Sequence, residues 1–147
     1  MENVKSLVAR KELIYVHPDT TVFEAASMMS GAGIGAMVVL EEGRLVGIFT
    51  ERDLLKRVIV PGLDPRMAKV SEVMTRDVAV AQGDDSCGKC LEIMKNVGCR
   101  HLPIVEGDRL IGIISMRDLL MHDNIMKDTE IKMMNYLYYY QAPVMEE

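Results

Sequence analysis

Two stretches of the chain share one pattern: GIFTERDLL at residues 47–55 and GIISMRDLL at residues 112–120. They lie 65 residues apart, and the same ungapped offset aligns residues 8–57 with residues 73–122. This alignment contains 13 identical pairs in 50 positions, whereas unrelated segments of ordinary composition would share about three. Many of the remaining pairs replace one apolar residue by another, as in Val39 and Ile104. The chain is therefore an internal duplication.

Each copy predicts the element order β-α-β-β-α. We expect strands at residues 14–16, 36–40 and 45–49 in the first copy and at residues 78–80, 102–105 and 110–114 in the second. A helix capped by Thr21 follows the first strand, although Gly88 weakens its counterpart in the second copy. A closing helix begins near Thr50 or Ser115. Because a copy of about 50 residues is too small to bury its sheet well, we expect the two copies to stack through their sheets.

The pattern divides the chain into four segments: a first repeat at 8–60, a linker at 61–70, a second repeat at 71–122 and a tail at 123–147. The linker sequence PGLDPRMAK interrupts helix and strand patterns alike. In the tail, Thr129 can cap a helix with an apolar side, and several tyrosines follow. We expect this tail to pack on its own module or on a second copy of the chain.

Composition excludes several classes of function. Of 147 residues, 49% are hydrophobic, enough for a core, yet no apolar run approaches the length of about 18 needed to span a membrane. The first residues lack the apolar region of a secretory signal, so we expect a cytoplasmic protein. A net charge of −5 argues against nucleic-acid binding. The three cysteines are expected to be reduced.

The repeated stretches carry the chemistry of a binding site. Each places a hydroxyl, Thr50 or Ser115, between a strand and a helix, and a carboxylate, Asp53 or Asp118, three residues later. Backbone N–H groups at a helix start favour an anion such as phosphate. A carboxylate one turn into the helix can accept both hydroxyls of a ribose.

The repeated stretches can be interpreted either as helix caps or as parts of a ligand-binding site. Ser/Thr-x-x-Asp is also a capping box, which starts a helix without any ligand. Gly47 and Gly112 would let a flat base approach the strand backbone. The duplicated order of strand, hydroxyl and carboxylate favours the binding interpretation.

Together with the segment CRHLPIV at residues 99–105, these motifs resemble cystathionine β-synthase-type (CBS) domains over about residues 8–122. The resemblance implies an α/β (α+β) fold, in which two repeats stack by pseudo-two-fold symmetry into one CBS-pair (Bateman) module. It implies two clefts between the repeats for adenosine-type ligands such as AMP, ADP, ATP, NAD or S-adenosylmethionine. It also implies a two-fold homodimer, with no catalytic domain and no required cofactor.

The resemblance also assigns roles to residues. Asp53 and Asp118 would hold ribose, and Thr50 and Ser115 would hold phosphate. Other residues would lie near the base or sugar: Thr20 and Ile14 in one cleft, and Asp85 with Val78 or Ala79 in the other.

The two copies differ where the family places basic residues that reach phosphate. Arg100 and His101 align with Gly35 and Ala36. Phosphate binding should therefore be better supported in one cleft, and Asp85 would repel phosphate if it faced the second. We expect one occupied site per chain.

The remaining candidates are weaker. Arg52 and Arg117 recur beside the carboxylates and are either solvated or phosphate-binding. Cys87 and Cys90 form a C-x-x-C pair but replace apolar residues of the first repeat, so core thiols are favoured over a metal or redox site.

The sequence thus predicts a regulatory, non-enzymatic module that senses an adenosine-type ligand. The alternatives are a constitutive dimerisation or interaction module, and a metal or redox protein built on the cysteine pair.

Overall fold

The computed structural model describes residues 3–9 and 11–122. The predicted tail helix, capped by Thr129, lies outside the described residues. The chain divides into two compact units. The repeat-1 unit contains residues 12–78 and 107–110, and the repeat-2 unit contains the remaining described residues.

The helices are α1 (Val4–Val8), α2 (Val22–Ala32), α3 (Glu51–Asp53), α4 (Val70–Val73), α5 (Cys87–Val97) and α6 (Met116–Leu120), with a π-helical segment (Leu54–Ile59) continuing α3. The strands are β1 (Tyr15–Val16), β2 (Ala36–Glu41), β3 (Arg44–Thr50), β4 (Ala81–Gln82), β5 (His101–Glu106) and β6 (Arg109–Ser115). They form two three-stranded sheets, so the predicted mixed α/β class is confirmed.

In the repeat-1 sheet, β1 runs parallel to β2, and β2 runs antiparallel to β3. Glu42 and Gly43 turn this hairpin with φ values of 51° and 77°, the left-handed conformation that tight hairpin turns require. Ala36 pairs with Thr50 at the far end of the hairpin. The register thus places the start of β2 beside the junction of β3 and α3.

The repeat-2 sheet has the same order, β4-β5-β6, with β4 parallel to β5. The strand predicted at residues 78–80 is wrong, because β4 is Ala81–Gln82. Ala81 is buried and pairs with Ile104. It occupies the place that Val16 takes opposite Val39 in the other sheet. Pairing and burial, rather than the β-branched character of the preceding valines, decide where this strand begins.

The long helix of each repeat forms as predicted, and both are capped alike. Thr21 Oγ1 accepts from Glu24 N at 3.1 Å, and Ser86 Oγ accepts from Lys89 N at 3.0 Å. Gly88 does not prevent α5 from forming because it lies in the first turn. Among the described residues, no helix is long and apolar enough to cross a membrane.

The short helix at the start of each repeat packs into the core of the unit formed by the other repeat. Val4 and Val8 of α1 belong to the repeat-2 core, and Val70 and Val73 of α4 belong to the repeat-1 core. The glycine of each repeated motif makes room for this packing. A Cβ on Gly112 would lie 2.7 Å from Val8 Cβ.

Gly47 shows the same close approach, since a Cβ there would lie 2.5 Å from Met74 Sδ and 3.0 Å from the Thr75 carbonyl oxygen. On the side where a Cβ would lie, each of these glycines therefore admits the chain itself rather than a flat base.

Candidate functional site

Both repeated motifs form a complete capping box. Thr50 Oγ1 accepts from Asp53 N at 3.2 Å, and Thr50 N donates to Asp53 Oδ2 at 3.0 Å. In the other motif, Ser115 Oγ accepts from Asp118 N at 3.0 Å, and Ser115 N donates to Asp118 Oδ2 at 2.9 Å. The capping interpretation is thus confirmed for each motif, and any binding role depends on what else surrounds each carboxylate.

Asp53 is enclosed by its own unit. Besides the capping bond, its Oδ2 accepts from Thr50 Oγ1 at 3.2 Å. Its Oδ1 accepts from Thr75 Oγ1 at 3.3 Å and lies 3.6 Å from Arg57 Nε. Both carboxylate oxygens therefore have partners, and the side chain is only 7% exposed.

Arg57 is itself fixed, because it donates to the carbonyl oxygens of Val73 at 3.2 Å and Met74 at 3.0 Å. The π-helical segment carries this arginine one turn beyond Asp53. Asp53 thus joins α3 to the chain around α4 and has the contacts of a structural carboxylate.

Asp118 has a more open surrounding. Its capping bond and an ion pair with Lys11 Nζ converge on Oδ2. Among the described residues, no hydrogen bond to Oδ1 is formed, and the side chain is 29% exposed. Burial alone would raise the pKa of Asp118, but hydrogen bonds from Lys11 and Ser115 outweigh it and hold the pKa below its ordinary value. The group is a carboxylate at neutral pH.

Two basic residues accompany Asp118. Arg100 is half-buried, and its carbonyl oxygen accepts from Met116 N at 2.8 Å at the junction itself. His101 begins β5. Burial lowers the pKa of His101 to about 4, with further lowering by Arg100 and Lys11 against an opposing effect of Asp118. His101 is therefore a neutral imidazole at pH 7, whereas Lys11 and Arg100 supply positive charge.

The corresponding junction of the repeat-1 unit is acidic. Glu51 N donates to the Gly35 carbonyl oxygen at 3.0 Å, the counterpart of the bond between Met116 and Arg100. The Glu51 carboxylate occupies the space where a side chain on Gly35 would lie. Ala36 beside it is buried. Where the repeat-2 unit has Arg100, the repeat-1 unit has Gly35 with the Glu51 carboxylate beside it.

The other predicted residues have local contacts. Thr20 Oγ1 accepts from His17 N at 3.2 Å, and Asp85 Oδ2 accepts from Gln82 N at 2.9 Å in the equivalent turn. Ile14 packs against the repeat-1 core. Arg52 and Arg117 are exposed on the first turns of their helices.

The cysteine pair behaves as core. Cys87 and Cys90 are buried, and burial raises the pKa of Cys90 to about 12, with smaller contributions from Cys87 and Asp85. The Cys90 thiol is therefore protonated at neutral pH and is a poor metal ligand or nucleophile. In the described part of the chain, no cluster of three metal-binding side chains is present.

Sequence reasoning missed three residues that distinguish the two sites: Lys11, Arg57 and Thr75. Lys11 and Thr75 lie near the start of each repeat, far from the repeated motif, which gives no signal for them. Arg57 lies four residues after Asp53, a spacing at which an arginine reaches a carboxylate on a helix. This four-residue spacing is the sequence signal that could have identified Arg57 as a partner of Asp53.

Comparison with known proteins identifies the family. The CBS domain profile matches residues 4–60 and 70–124. The chain therefore belongs to the CBS domain family. It is 39% identical over 116 residues to an uncharacterized 17.7 kDa protein of Acidianus ambivalens, covering 78% of this chain and 69% of that one.

Longer relatives also contain such a segment. Inosine-5'-monophosphate dehydrogenase of Methanocaldococcus jannaschii is 41% identical over 115 residues, which are 77% of this chain but 22% of the enzyme. The chain thus spans a small part of some of the curated relatives it matches.

Solved structures share the fold. A signal-transduction protein with CBS domains from Burkholderia ambifaria superimposes with a TM-score of 0.78 at 30% identity, covering 86% of this chain and 96% of that one. The CBS domain pair of protein MJ0100, solved with 5'-methylthioadenosine and S-adenosyl-L-methionine, gives a TM-score of 0.71 at 26% identity and covers 81% and 93%.

Proposed function

We propose that the chain is a regulatory module that binds one adenosine-type ligand, with Asp118 as the acceptor for its ribose hydroxyls. The observation that carries this proposal is the difference between the two carboxylates. Among the described residues, none hydrogen-bonds to the Asp118 Oδ1, and the side chain is 29% exposed, whereas Asp53 uses both oxygens and is 7% exposed.

The charge around Asp118 supports a phosphorylated or otherwise anionic ligand. Lys11 pairs with its carboxylate, and the Arg100 backbone lies at the same junction. His101 offers a neutral imidazole that can donate or accept. The Thr50 junction, with Glu51 beside Gly35, disfavours phosphate. One ligand per chain, at the Ser115–Asp118 junction, follows from this asymmetry.

A solved relative supports the ligand class. MJ0100 was crystallised with two adenosine compounds, and the adenosine part is what its ligands share with AMP, ATP and NAD. A ribose diol, which all of these carry, needs one carboxylate with an available oxygen. Asp118 meets that requirement.

The output of such a module is a shift between two states of the protein or of an effector. A ligand produces this shift only through unequal affinity for the two states. The module therefore binds rather than catalyses, and it requires no resident cofactor.

A second candidate function is constitutive self-association. Its support is the exposed apolar surface of the repeat-1 unit, where Leu55, Ile59 and Val60 all face solvent on or next to the π-helical segment. The complete capping boxes also agree with it, because they stabilise both helices without a ligand. A second copy of the chain is the proposed occupant of this surface.

Calorimetry with AMP, ATP and S-adenosylmethionine tests the sensing function. We expect the wild-type protein to bind at least one of them with a stoichiometry near one per chain. Asp118→Asn should weaken binding about 10-fold to 100-fold, because a hydrogen bond to a charged acceptor contributes about 1.5–3 kcal/mol.

Asp53→Asn is the matched control, since Asp53 has the same place in the other repeat. It should lower the melting temperature while the dissociation constant stays within about twofold. Absence of binding by all three ligands would leave self-association as the function. Equal loss in the two variants would contradict the assignment of the site to Asp118.

A further inference from the structure

We propose that Lys11 determines ligand specificity: it selects adenosine ligands that carry a phosphate by moving from Asp118 to that phosphate when the ribose binds. The inference rests on the proposed function and adds the ligand class. Lys11 lies outside both repeated motifs and was not among the residues that the sequence singled out.

The Lys11 backbone is held in the repeat-2 unit, and its side chain reaches Asp118. Its backbone N donates to the Val8 carbonyl oxygen at 3.1 Å, immediately after α1. Because α1 is part of the repeat-2 core, this bond fixes the Lys11 backbone in the repeat-2 unit. Its ammonium group pairs with Asp118 Oδ2, 107 residues away in sequence.

The Lys11 side chain is able to move away from Asp118. The Lys11 side chain is 48% exposed, so its four-carbon chain can swing without breaking core packing. An exposed ion pair of this kind contributes little to stability. Lys11 can therefore leave Asp118 at small cost if another anion is offered nearby.

When a ligand binds, Lys11 exchanges the Asp118 carboxylate for the ligand's phosphate. A ribose diol has two hydroxyl donors, so one can reach the Asp118 Oδ1 while the other competes with Lys11 for Oδ2. An ammonium displaced from a carboxylate is left without its anion, and a phosphate restores that charge pairing. A ligand with a ribose and no phosphate takes the acceptor but offers no replacement, so it should bind less tightly.

The repeat-1 unit lacks such a residue. Arg76 aligns with Lys11, but its guanidinium donates to the Ser71 carbonyl oxygen at 2.9 Å. Asp53 is held by Arg57, whose contacts to two carbonyl oxygens fix it in place. The exchangeable cation is thus specific to the Asp118 site.

The test compares AMP with adenosine, because these ligands differ only in the phosphate. Calorimetry on the wild-type protein should show AMP binding at least about 10-fold more tightly than adenosine, as expected for a charge-assisted bond. Lys11→Gln should weaken AMP binding about 10-fold and leave adenosine binding unchanged or tighter, so the ratio of the two affinities falls. Lys11→Arg should restore most of the ratio.

Lys5→Gln is the matched control. Lys5 forms an exposed ion pair with Glu106 at 2.7 Å in the same unit, so its removal changes net charge equally without touching Asp118. The affinity ratio should match that of the wild type.

An unchanged ratio in Lys11→Gln, with both ligands still bound, would overturn this inference and leave the proposed function intact. Failure of the wild-type protein to bind AMP or adenosine would overturn this inference. The proposed function would fall as well only if ATP and S-adenosylmethionine also failed to bind. A ratio lowered equally by Lys5→Gln would assign the effect to net charge and would also overturn the role of Lys11.

Discussion

At the scale of single residues, burial and nearby charges decide whether an ionisable side chain is protonated. His101 lies next to Arg100 in sequence and within electrostatic reach of Lys11 and Asp118. Burial and the two cations together keep its imidazole neutral. A histidine that the sequence suggested as a cation for phosphate is therefore an uncharged donor or acceptor at pH 7.

This state predicts a pH dependence of stability. The pKa of His101 is lowered from 6.5 to about 4 in the folded protein. Between these values the unfolded chain binds more protons, so stability decreases as pH falls from 6.5 towards 4, by up to about 3 kcal/mol. Above pH 6.5 this group has no effect.

Urea denaturation at pH 7 and pH 5 measures the effect. His101→Gln should lose most of the difference between the two pH values. His17→Gln, at an exposed histidine, should retain it. Equal pH dependence in His101→Gln and the wild type would contradict the assignment.

Asp118 contributes in a lower and separate window. Its folded pKa is depressed below the ordinary 3.8, so the stability it provides is present above that value and is lost as pH falls below it. The loss near pH 5 therefore reports His101 rather than Asp118.

At the scale of elements, packing of the short helices α1 and α4 explains why each motif has a glycine. Gly112 lies under Val8 of α1, and Gly47 lies under Met74 and Thr75 just after α4. A side chain at either glycine would push the preceding helix away from its sheet. The glycine is thus part of the packing of the fold.

Substitution of Gly112 by alanine tests this role. The new Cβ would meet Val8 Cβ at 2.7 Å, and because Val8 is a buried, branched side chain we expect destabilisation of about 1–3 kcal/mol. Chemical denaturation of the full chain measures it.

In the same unit, Gly88→Ala should have the opposite effect on stability to Gly112→Ala. A Cβ there would lie 3.9 Å from Ser86 Oγ, without a clash. Alanine should therefore stabilise α5, by about 0.5 kcal/mol, because it favours the helix over the unfolded chain. Two alanine substitutions with effects of the same sign would contradict this account.

At the scale of the whole molecule, the two units differ in how much apolar surface their described residues expose. Among the described residues, Val97 and Met121 are the large exposed hydrophobic side chains of the repeat-2 unit. The repeat-1 unit exposes a larger set: Tyr15, Phe23, Met28, Leu55, Ile59, Val60, Leu63 and Met67. This imbalance is why self-association is placed on the repeat-1 unit.

The proposed homodimer predicts a mass of about twice the 16.5 kDa of the chain. Leu55→Glu combined with Ile59→Glu should convert it to a monomer, because two carboxylates would be buried without partners. Light scattering coupled to size-exclusion chromatography measures the mass.

Val97→Glu, at an equally exposed position of α5, should leave the dimer intact. A wild-type protein that stays monomeric at high concentration would contradict the dimer. Dissociation by Val97→Glu alone would place the interface elsewhere.

Much of this fold can be predicted from short-range patterns in the sequence. The 65-residue duplication predicted two equivalent sheets, and the Ser/Thr-x-x-Asp spacing predicted the capping boxes, because both depend on residues close in the chain. The start of β4 at Ala81 could not be predicted from the β-branched residues before it, since pairing with Ile104 decides it.

The amino-acid sequence by itself determined the duplication, the order of elements in each copy and the presence of a hydroxyl and a carboxylate at each junction. Only the tertiary structure decided which carboxylate is available. Asp53 and Asp118 are identical in motif, and they differ because Arg57 and Thr75 enclose one while Lys11 approaches the other from a segment 107 residues away. Contacts over that distance arise from the packing of α1 into the repeat-2 core, which no local pattern encodes.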